Sequence, residues 1–194
     1  MVIKNLFLSI LNRFSPKTSP EPKKEIPLYN FNLVNELKML SEKEFIEIVK
    51  PIALKIAEDM KINAWVAMSQ AAHESRNGNS QLARVALNLF GIKATESWAS
   101  SGGAMMSFNT GEHIKGKDLM VQDAFRVYDS WAHSFLDWAK LMQKPIYKKA
   151  FEYMQKEEDG IFAIKEIARA GYATDPHYAE KVIETYLKLT GGNV

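Results

Sequence analysis

Glu74 closes an apolar helical run, Ala71-Ala72-His73-Glu74-Ser75, just before the polar stretch Arg76-Asn77-Gly78-Asn79-Ser80. A carboxylate at the end of a packed helix is held rigidly by its scaffold and can still face a cleft, which is the placement a general acid needs. Ala71, Ala72 and nearby aromatics would desolvate this carboxyl and favour its protonated form, the form that donates a proton near neutral pH. Position alone favours a solvated helix-end charge, so the surrounding residues have to decide. Other chemistries are poorly supplied. The chain has no cysteine, which excludes thiolate nucleophiles, disulfides and cysteine-based metal sites. His73, His113, His133 and His177 show neither an HExxH pattern nor a paired spacing, so neither a metal site nor an organic cofactor is expected.

The elements that must hold Glu74 are legible in the patterning. Ser41-Glu42-Lys43-Glu44 is a capping box ahead of Phe45, Ile46, Val49, Ile52, Ala53 and Ile56, which predicts a helix over about 42–60. Asn63 can cap a second helix running through Trp65, Val66, Met68, Ala71 and Ala72 to Glu74, and Ser80 to Ala86 reads as a short third. From Ser97 to Tyr128 the helical period disappears. Glycines enter, and alternation in Met106–Thr110 and Ala124–Tyr128 predicts an antiparallel hairpin turning near Lys115–Asp118. Helical patterning returns at about 130–142, 146–156, 160–170 and 177–189, the last with Asp175 as N-cap and Pro176 at N1. Trp65, Trp131 and Trp138 lie on apolar helical faces and read as packing. The expected class is α+β, mostly α: a helical lobe with a small β-hairpin lobe.

With 194 residues, 46% of them apolar and 25% charged, the chain can bury one full core and carry a tail. Its 25 basic residues are balanced by 23 acidic ones, so the net charge of +2 argues against nucleic acid as a partner. The expected division is an amphipathic helix at 1–15, a Pro-rich linker at 16–28 and one domain over 29–194. Val2, Ile3, Leu6, Phe7, Ile10, Leu11 and Phe14 recur at helical spacing. This segment is read as a helix docking on a membrane surface or a protein partner through residues 2–14. An atypical export signal and a helix packed on the domain are the alternatives. No stretch approaches the ~20 apolar residues that span a bilayer.

Five motifs stand in one order along the chain: Gln70-Ala71-Ala72-His73-Glu74-Ser75, Asn88-Leu89-Phe90-Gly91-Ile92-Lys93, Thr110-Gly111-Glu112, Phe125-Arg126-Val127-Tyr128-Asp129-Ser130 and Gly171-Tyr172-Ala173-Thr174-Asp175-Pro176. Together, over about residues 40–190, they resemble glycoside hydrolase family 73, the FlgJ-like endo-β-N-acetylglucosaminidases of peptidoglycan. The resemblance implies a lysozyme-like α lobe with a β-hairpin and cleavage of the β-1,4 bond between N-acetylglucosamine and N-acetylmuramic acid in peptidoglycan glycan strands. It also implies action at the bacterial cell wall, with Glu74 as general acid.

Glycosidases commonly pair the acid with a second carboxylate. The family's hairpin Thr-x-Glu maps onto Thr110-Gly111-Glu112 and nominates Glu112, as a base for water unless the substrate's acetamido group takes part. Asp118 and Asp123 are rivals on the same hairpin. Sugar rings present apolar faces edged by hydroxyls, so aromatic platforms with amide partners are expected: Tyr172 first, then Trp98, Tyr128, Asn88 and Phe90.

The chain departs from the family where Gly-Trp-Gly usually follows Glu-Ser. Asn77 replaces the tryptophan, which removes a stacking surface, and Leu87 stands where an asparagine is common. A lytic transglycosylase on the same fold and a non-catalytic peptidoglycan-binding module are the competing readings. A phage-type lysin is the favoured host context.

Overall fold

The computed structural model describes residues 38–114, 117–156 and 159–192, with only the backbone described at 110–114 and 117–119. The expected helix at 1–15, the linker at 16–28 and the domain boundary near residue 29 lie outside the described residues. In chain order come α1 (Glu42–Met60), α2 (Ala64–Ser75), α3 (Gln81–Val85), α4 (Glu96–Ser100), β1 (Met105–Ile114) and β2 (Lys117–Arg126). They are followed by α5 (Trp131–Met142), a 3-10 turn (Pro145–Tyr147), α6 (Lys148–Met154), α7 (Gly160–Arg169) and α8 (Tyr178–Thr190).

The capping box of α1 forms in full. Ser41 Oγ accepts from Glu44 N at 3.2 Å, and the Glu44 carboxylate accepts from Ser41 N at 2.8 Å. Phe45, Val49, Ala53 and Ala57 then recur every four residues as the buried stripe. Asn63 Oδ1 accepts from Trp65 N at 2.9 Å and Val66 N at 3.3 Å, starting α2.

Helix α2 is buried around nearly its whole circumference, at Ala64, Val66 to Ala72 and Ser75, and it packs against α1, α7 and α8. Its alanines let neighbouring helices approach closely. Its own Met68, and Phe45, Leu89, Phe90 and Phe135 of the surrounding core, are fully buried, and each such side chain stabilises the fold by roughly 1.5–3 kcal/mol. The helix that ends in Glu74 is therefore the axis of the core.

The hairpin pairs β1 with β2 antiparallel from Met105↔Arg126 to Ile114↔Lys117. β1 runs further than the alternation alone predicts, whereas β2 begins earlier, at Lys117, and ends at Arg126, short of Val127 and Tyr128. The base is tied to the helical lobe, since Arg126 N donates to Ile92 O at 3.0 Å and Ala94 N to Ala124 O at 2.8 Å.

Three expectations need correcting. The 97–101 segment holds the short helix α4, capped by Thr95, whose side chain accepts from Trp98 N; five residues are too few to show a period. The 146–156 helix is split, with Pro145 opening a 3-10 turn ahead of α6. Asp175 does not cap α8 and Pro176 is not its first residue. Asp175 Oδ1 accepts from His177 N at 2.9 Å and its carbonyl from Tyr178 N at 3.1 Å, a separate turn that delays the helix to Tyr178.

The turn after α2 is built from consecutive left-handed residues, Arg76 (φ 53°), Asn77 (φ 55°) and Gly78 (φ 75°). Asparagine tolerates this region better than tryptophan does, which accounts physically for Asn77. Ser75 Oγ donates to Ala71 O at 2.6 Å and accepts from Gly78 N at 2.7 Å, closing the turn. A Cβ on Gly78 would stand 2.7 Å from Trp131 Cη2 and 3.0 Å from Phe45. Gly78→Ala should therefore destabilise the domain by roughly 2 kcal/mol or more, read as a lower urea midpoint; an unchanged midpoint would mean that the contact with Trp131 is not restrictive.

Candidate active site

Glu74 occupies the last turn of α2, where Arg76 ends the helix in the left-handed conformation, its N–H donating to Ala72 O and His73 O. The residue as a whole is half-buried, but its carboxyl is the enclosed end. Oε1 is out of contact with solvent and has no hydrogen-bond partner. Desolvation raises the carboxyl from its ordinary value of 4.5 to about 7, opposed only by the Tyr178 hydroxyl acting as a hydrogen-bond donor to the charged form. Such a group is about half protonated at neutrality, where an ordinary carboxyl is fully ionised.

The segment 88–92 forms the wall over Glu74. A Cβ on Gly91 would lie 3.7 Å from Glu74 Oε2, so Gly91 leaves that oxygen uncrowded while its own φ of 63° lets the chain turn. Asn88 holds this wall from inside. Its Nδ2 donates to Ile92 O at 3.0 Å and Arg126 O at 2.9 Å, and its Oδ1 accepts from Phe90 N at 3.3 Å and Ile92 N at 3.1 Å. With its hydrogen-bonding capacity used and 1% of its surface exposed, Asn88 shapes the loop and does not face a ligand. Phe90 is likewise buried, stacked on Trp138 at 5.2 Å and edge-on to Phe135 at 4.9 Å. These two residues are corrected from sugar contacts to architecture.

Tyr172 does stand beside Glu74. Its hydroxyl donates to Phe90 O at 2.8 Å, its ring stacks on Tyr178 at 5.9 Å, and it keeps part of its surface exposed. Its phenol is pushed well above the ordinary range, first by burial and then by the charge of Glu74.

Tyr128 and Trp98 line a neighbouring open cleft of about 430 Å³ with Gly103, His133, Asp137 and Lys140. Neither Glu74 nor Tyr172 is part of that lining. Tyr128 OH donates to Asp137 Oδ2 at 2.6 Å, and Arg126 Nη1 donates to the same oxygen at 2.7 Å. Trp98 is heavily engaged. The Arg126 guanidinium lies 4.5 Å from its ring centroid, its Nε1 donates to Ala104 O at 2.9 Å, and a Cβ on Gly103 would fall 2.3 Å from ring atoms. Trp98 thus clamps the hairpin base and offers the cleft only part of its surface. A second open cleft, of about 550 Å³ between Asp59, Gln143 and Glu152, contains none of the candidate residues.

Glu112 lies on β1 opposite Leu119. Of its rivals, Asp118 pairs with His113 in the register, and Asp123 forms an ion pair with Lys93 at 2.8 Å at the hairpin base. Trp65 and Trp131 are partly buried against the core and Trp138 is fully buried, as their helical faces imply.

Gln70 and Tyr178 escaped the sequence reading. Gln70 is 1% exposed, donates through Nε2 to Tyr178 OH at 2.7 Å and accepts at Oε1 from Trp138 Nε1 at 2.9 Å. The signal was present in part, because a glutamine four residues before Glu74 shares its helical face.

The sequence matches the glucosaminidase family, described as mannosyl-glycoprotein endo-beta-N-acetylglucosaminidase, over residues 50–190. The peptidoglycan hydrolase FlgJ of Vibrio cholerae is 31% identical over 172 residues, covering 87% of this chain and 50% of its own length. A crystal structure of a peptidoglycan hydrolase mutant from Sphingomonas sp. A1 has a TM-score of 0.65 and 31% identity, covering 75% of this chain and 92% of that one. The C-terminally truncated glycoside hydrolase domain of Salmonella typhimurium FlgJ has a TM-score of 0.59 and 28% identity, covering 78% of this chain and 99% of that one. The chain spans about half the length of the curated relatives it matches, or less. It belongs to the glucosaminidase family, and its helical lobe with a two-stranded hairpin is the lysozyme-like architecture that the motifs imply.

The burial of Glu74 makes a prediction about stability. Its folded-state value of about 7 lies above its ordinary 4.5, so between these limits the unfolded chain releases the proton first and stability falls as pH rises. Glu74→Gln removes this loss. At pH 8 the variant should exceed the parent by about 3 kcal/mol, roughly 9 °C in Tm, with the gap closing at pH 4; equal melting at both pH values would contradict the desolvation.

Proposed function

We propose that this member of the glucosaminidase family is a peptidoglycan hydrolase of the bacterial cell wall. It cleaves the β-1,4 bond between N-acetylglucosamine and N-acetylmuramic acid, with Glu74 as the general acid. The observation that carries this reading is the enclosed carboxyl of Glu74, raised to about 7 at the end of a core helix. The peptidoglycan hydrolases among the chain's relatives support the substrate class.

In this mechanism Glu74 transfers its proton to the bridging glycosidic oxygen as the bond from that oxygen to the anomeric carbon breaks. Positive charge builds on the sugar ring, and water attacks the anomeric carbon, losing a proton to a base. Glu112 is proposed as that base. Its place on the hairpin beside the helical lobe lets a lobe movement bring it over the glycan. Glu74 is left ionised, and it regains its proton from solvent before the next turnover. Tyr172 forms the wall beside the acid, and the open cleft lined by Tyr128 and part of Trp98 is proposed to take the rest of the glycan.

Release of reducing N-acetylglucosamine ends from purified peptidoglycan tests the reading. Glu74→Gln should lower the rate by roughly 10³-fold with helical content unchanged, and Glu112→Gln by about 10²-fold. Because the acid works protonated, the rate of the parent enzyme should fall as pH rises past about 7. Near-normal turnover of Glu74→Gln removes that residue from the mechanism, and anhydro-muramic products would make the enzyme a lytic transglycosylase.

A further inference from the structure

We propose that Gln70 and Tyr178 are positioning residues for the acid: a buried chain from Trp138 through Gln70 to Tyr178 sets a hydroxyl donor against Glu74 and fixes how its carboxyl is turned. The proposal rests on the assignment of Glu74 as general acid. Each link follows from donor and acceptor capacity. The indole N–H of Trp138 can only donate, so the amide of Gln70 must present Oε1 to it, at 2.9 Å. Nε2 is thereby aimed the other way, and it donates to Tyr178 OH at 2.7 Å. That bond occupies a lone pair of the hydroxyl and leaves its single hydrogen for another acceptor, and the hydroxyl lies close enough to Glu74 to favour the ionised carboxyl.

The chain is held from all sides. Trp138 is 0%, Gln70 1% and Tyr178 3% exposed, so none of these polar groups has water as an alternative partner. Gln70 and Glu74 stand one helical turn apart on α2. The Tyr178 ring is fixed between Tyr172, stacked at 5.9 Å, and His73, edge-on at 5.8 Å. Oε1 of Glu74 has no partner, and the Tyr178 hydroxyl is the polar group positioned to favour one orientation of the carboxyl over another. A core glutamine between an indole and a phenol would be an unnecessary polar burial if it only filled space, since apolar side chains of similar size would fill it without desolvating an amide.

The groups that could complicate a titration near neutrality are identifiable. Tyr178 from α8 and Tyr172 from the segment before it face Glu74, and both are pushed well above the ordinary phenol range, chiefly by burial. The Gly91 segment brings no titratable side chain. His73, beside Glu74 in sequence, is held below its ordinary range by burial and by Lys181, with Asp175 opposing. The high-pH limb of the rate profile therefore reports Glu74.

The test is the pH dependence of kcat/KM on purified peptidoglycan for the full chain and for Tyr178→Phe, Gln70→Met and Glu74→Gln. Tyr178→Phe keeps the ring and its stacking but removes the donor to the ionised carboxylate. The high-pH limb should move upward by roughly one pH unit, while the rate at the optimum falls about tenfold. Gln70→Met breaks the chain one link earlier with Tyr178 in place, and it should shift the limb in the same direction by less. A limb that stays at its parental position in both variants overturns the proposal, whatever the loss of rate, because a merely structural defect lowers the rate without moving the limb. If Glu74→Gln is inactive and the limb does not move, only the positioning role fails; if Glu74→Gln is active, the acid assignment fails with it.

Discussion

Withdrawal of one carboxyl group from water is the constraint on which the rest of this molecule turns. A carboxyl raised from 4.5 to about 7 corresponds to about 3 kcal/mol of unfavourable burial when ionised. That is a large fraction of the 5–15 kcal/mol, roughly, by which a domain is stable at all. The helix that carries Glu74 is accordingly the most enclosed element of the fold, with small and apolar residues over nearly its whole surface. Core packing elsewhere offsets the desolvation that makes the group useful, the familiar opposition between stability and activity at a working site.

Placement has to be as firm as burial, and polar groups supply it at each side of the acid. Ser75 closes the helix end against Ala71 and Gly78. Asn88 locks the Gly91 segment to Arg126 and so to the base of the hairpin. Arg126 in turn binds Asp137 on α5 and packs over Trp98. The helical lobe and the base of the hairpin thus form one supported frame. Among the described contacts, β1 and β2 meet chiefly each other.

Much of this was legible in the chain. The Ser41–Glu44 box and the Asn63 cap are local chemistry, complete within four residues, and both helices begin where those signals put them. The spacing of the hairpin survived because alternation is a short-range pattern. What escaped reading depends on partners far away in sequence. Asn88 looks like a ligand contact until Arg126, 38 residues on, takes its amide hydrogen. Gln70 looks unremarkable until Tyr178 and Trp138 arrive, 108 and 68 residues later. Asp175 carries the chemistry of a cap, but Lys181 binds its carboxylate at 2.6 Å and the turn at His177 intervenes. Residue type told which groups could do chemistry; only the fold told which were already committed.

The most direct measurement is the titration of the Glu74 carboxyl itself, followed by carbon NMR of side-chain carboxyls in the full chain and assigned by its absence in Glu74→Gln. A midpoint near 7 would show that the apolar enclosure holds the proton up to neutrality, well past the ordinary carboxylate range. A midpoint near 4.5 would show a solvated carboxylate, and would contradict the account at its root.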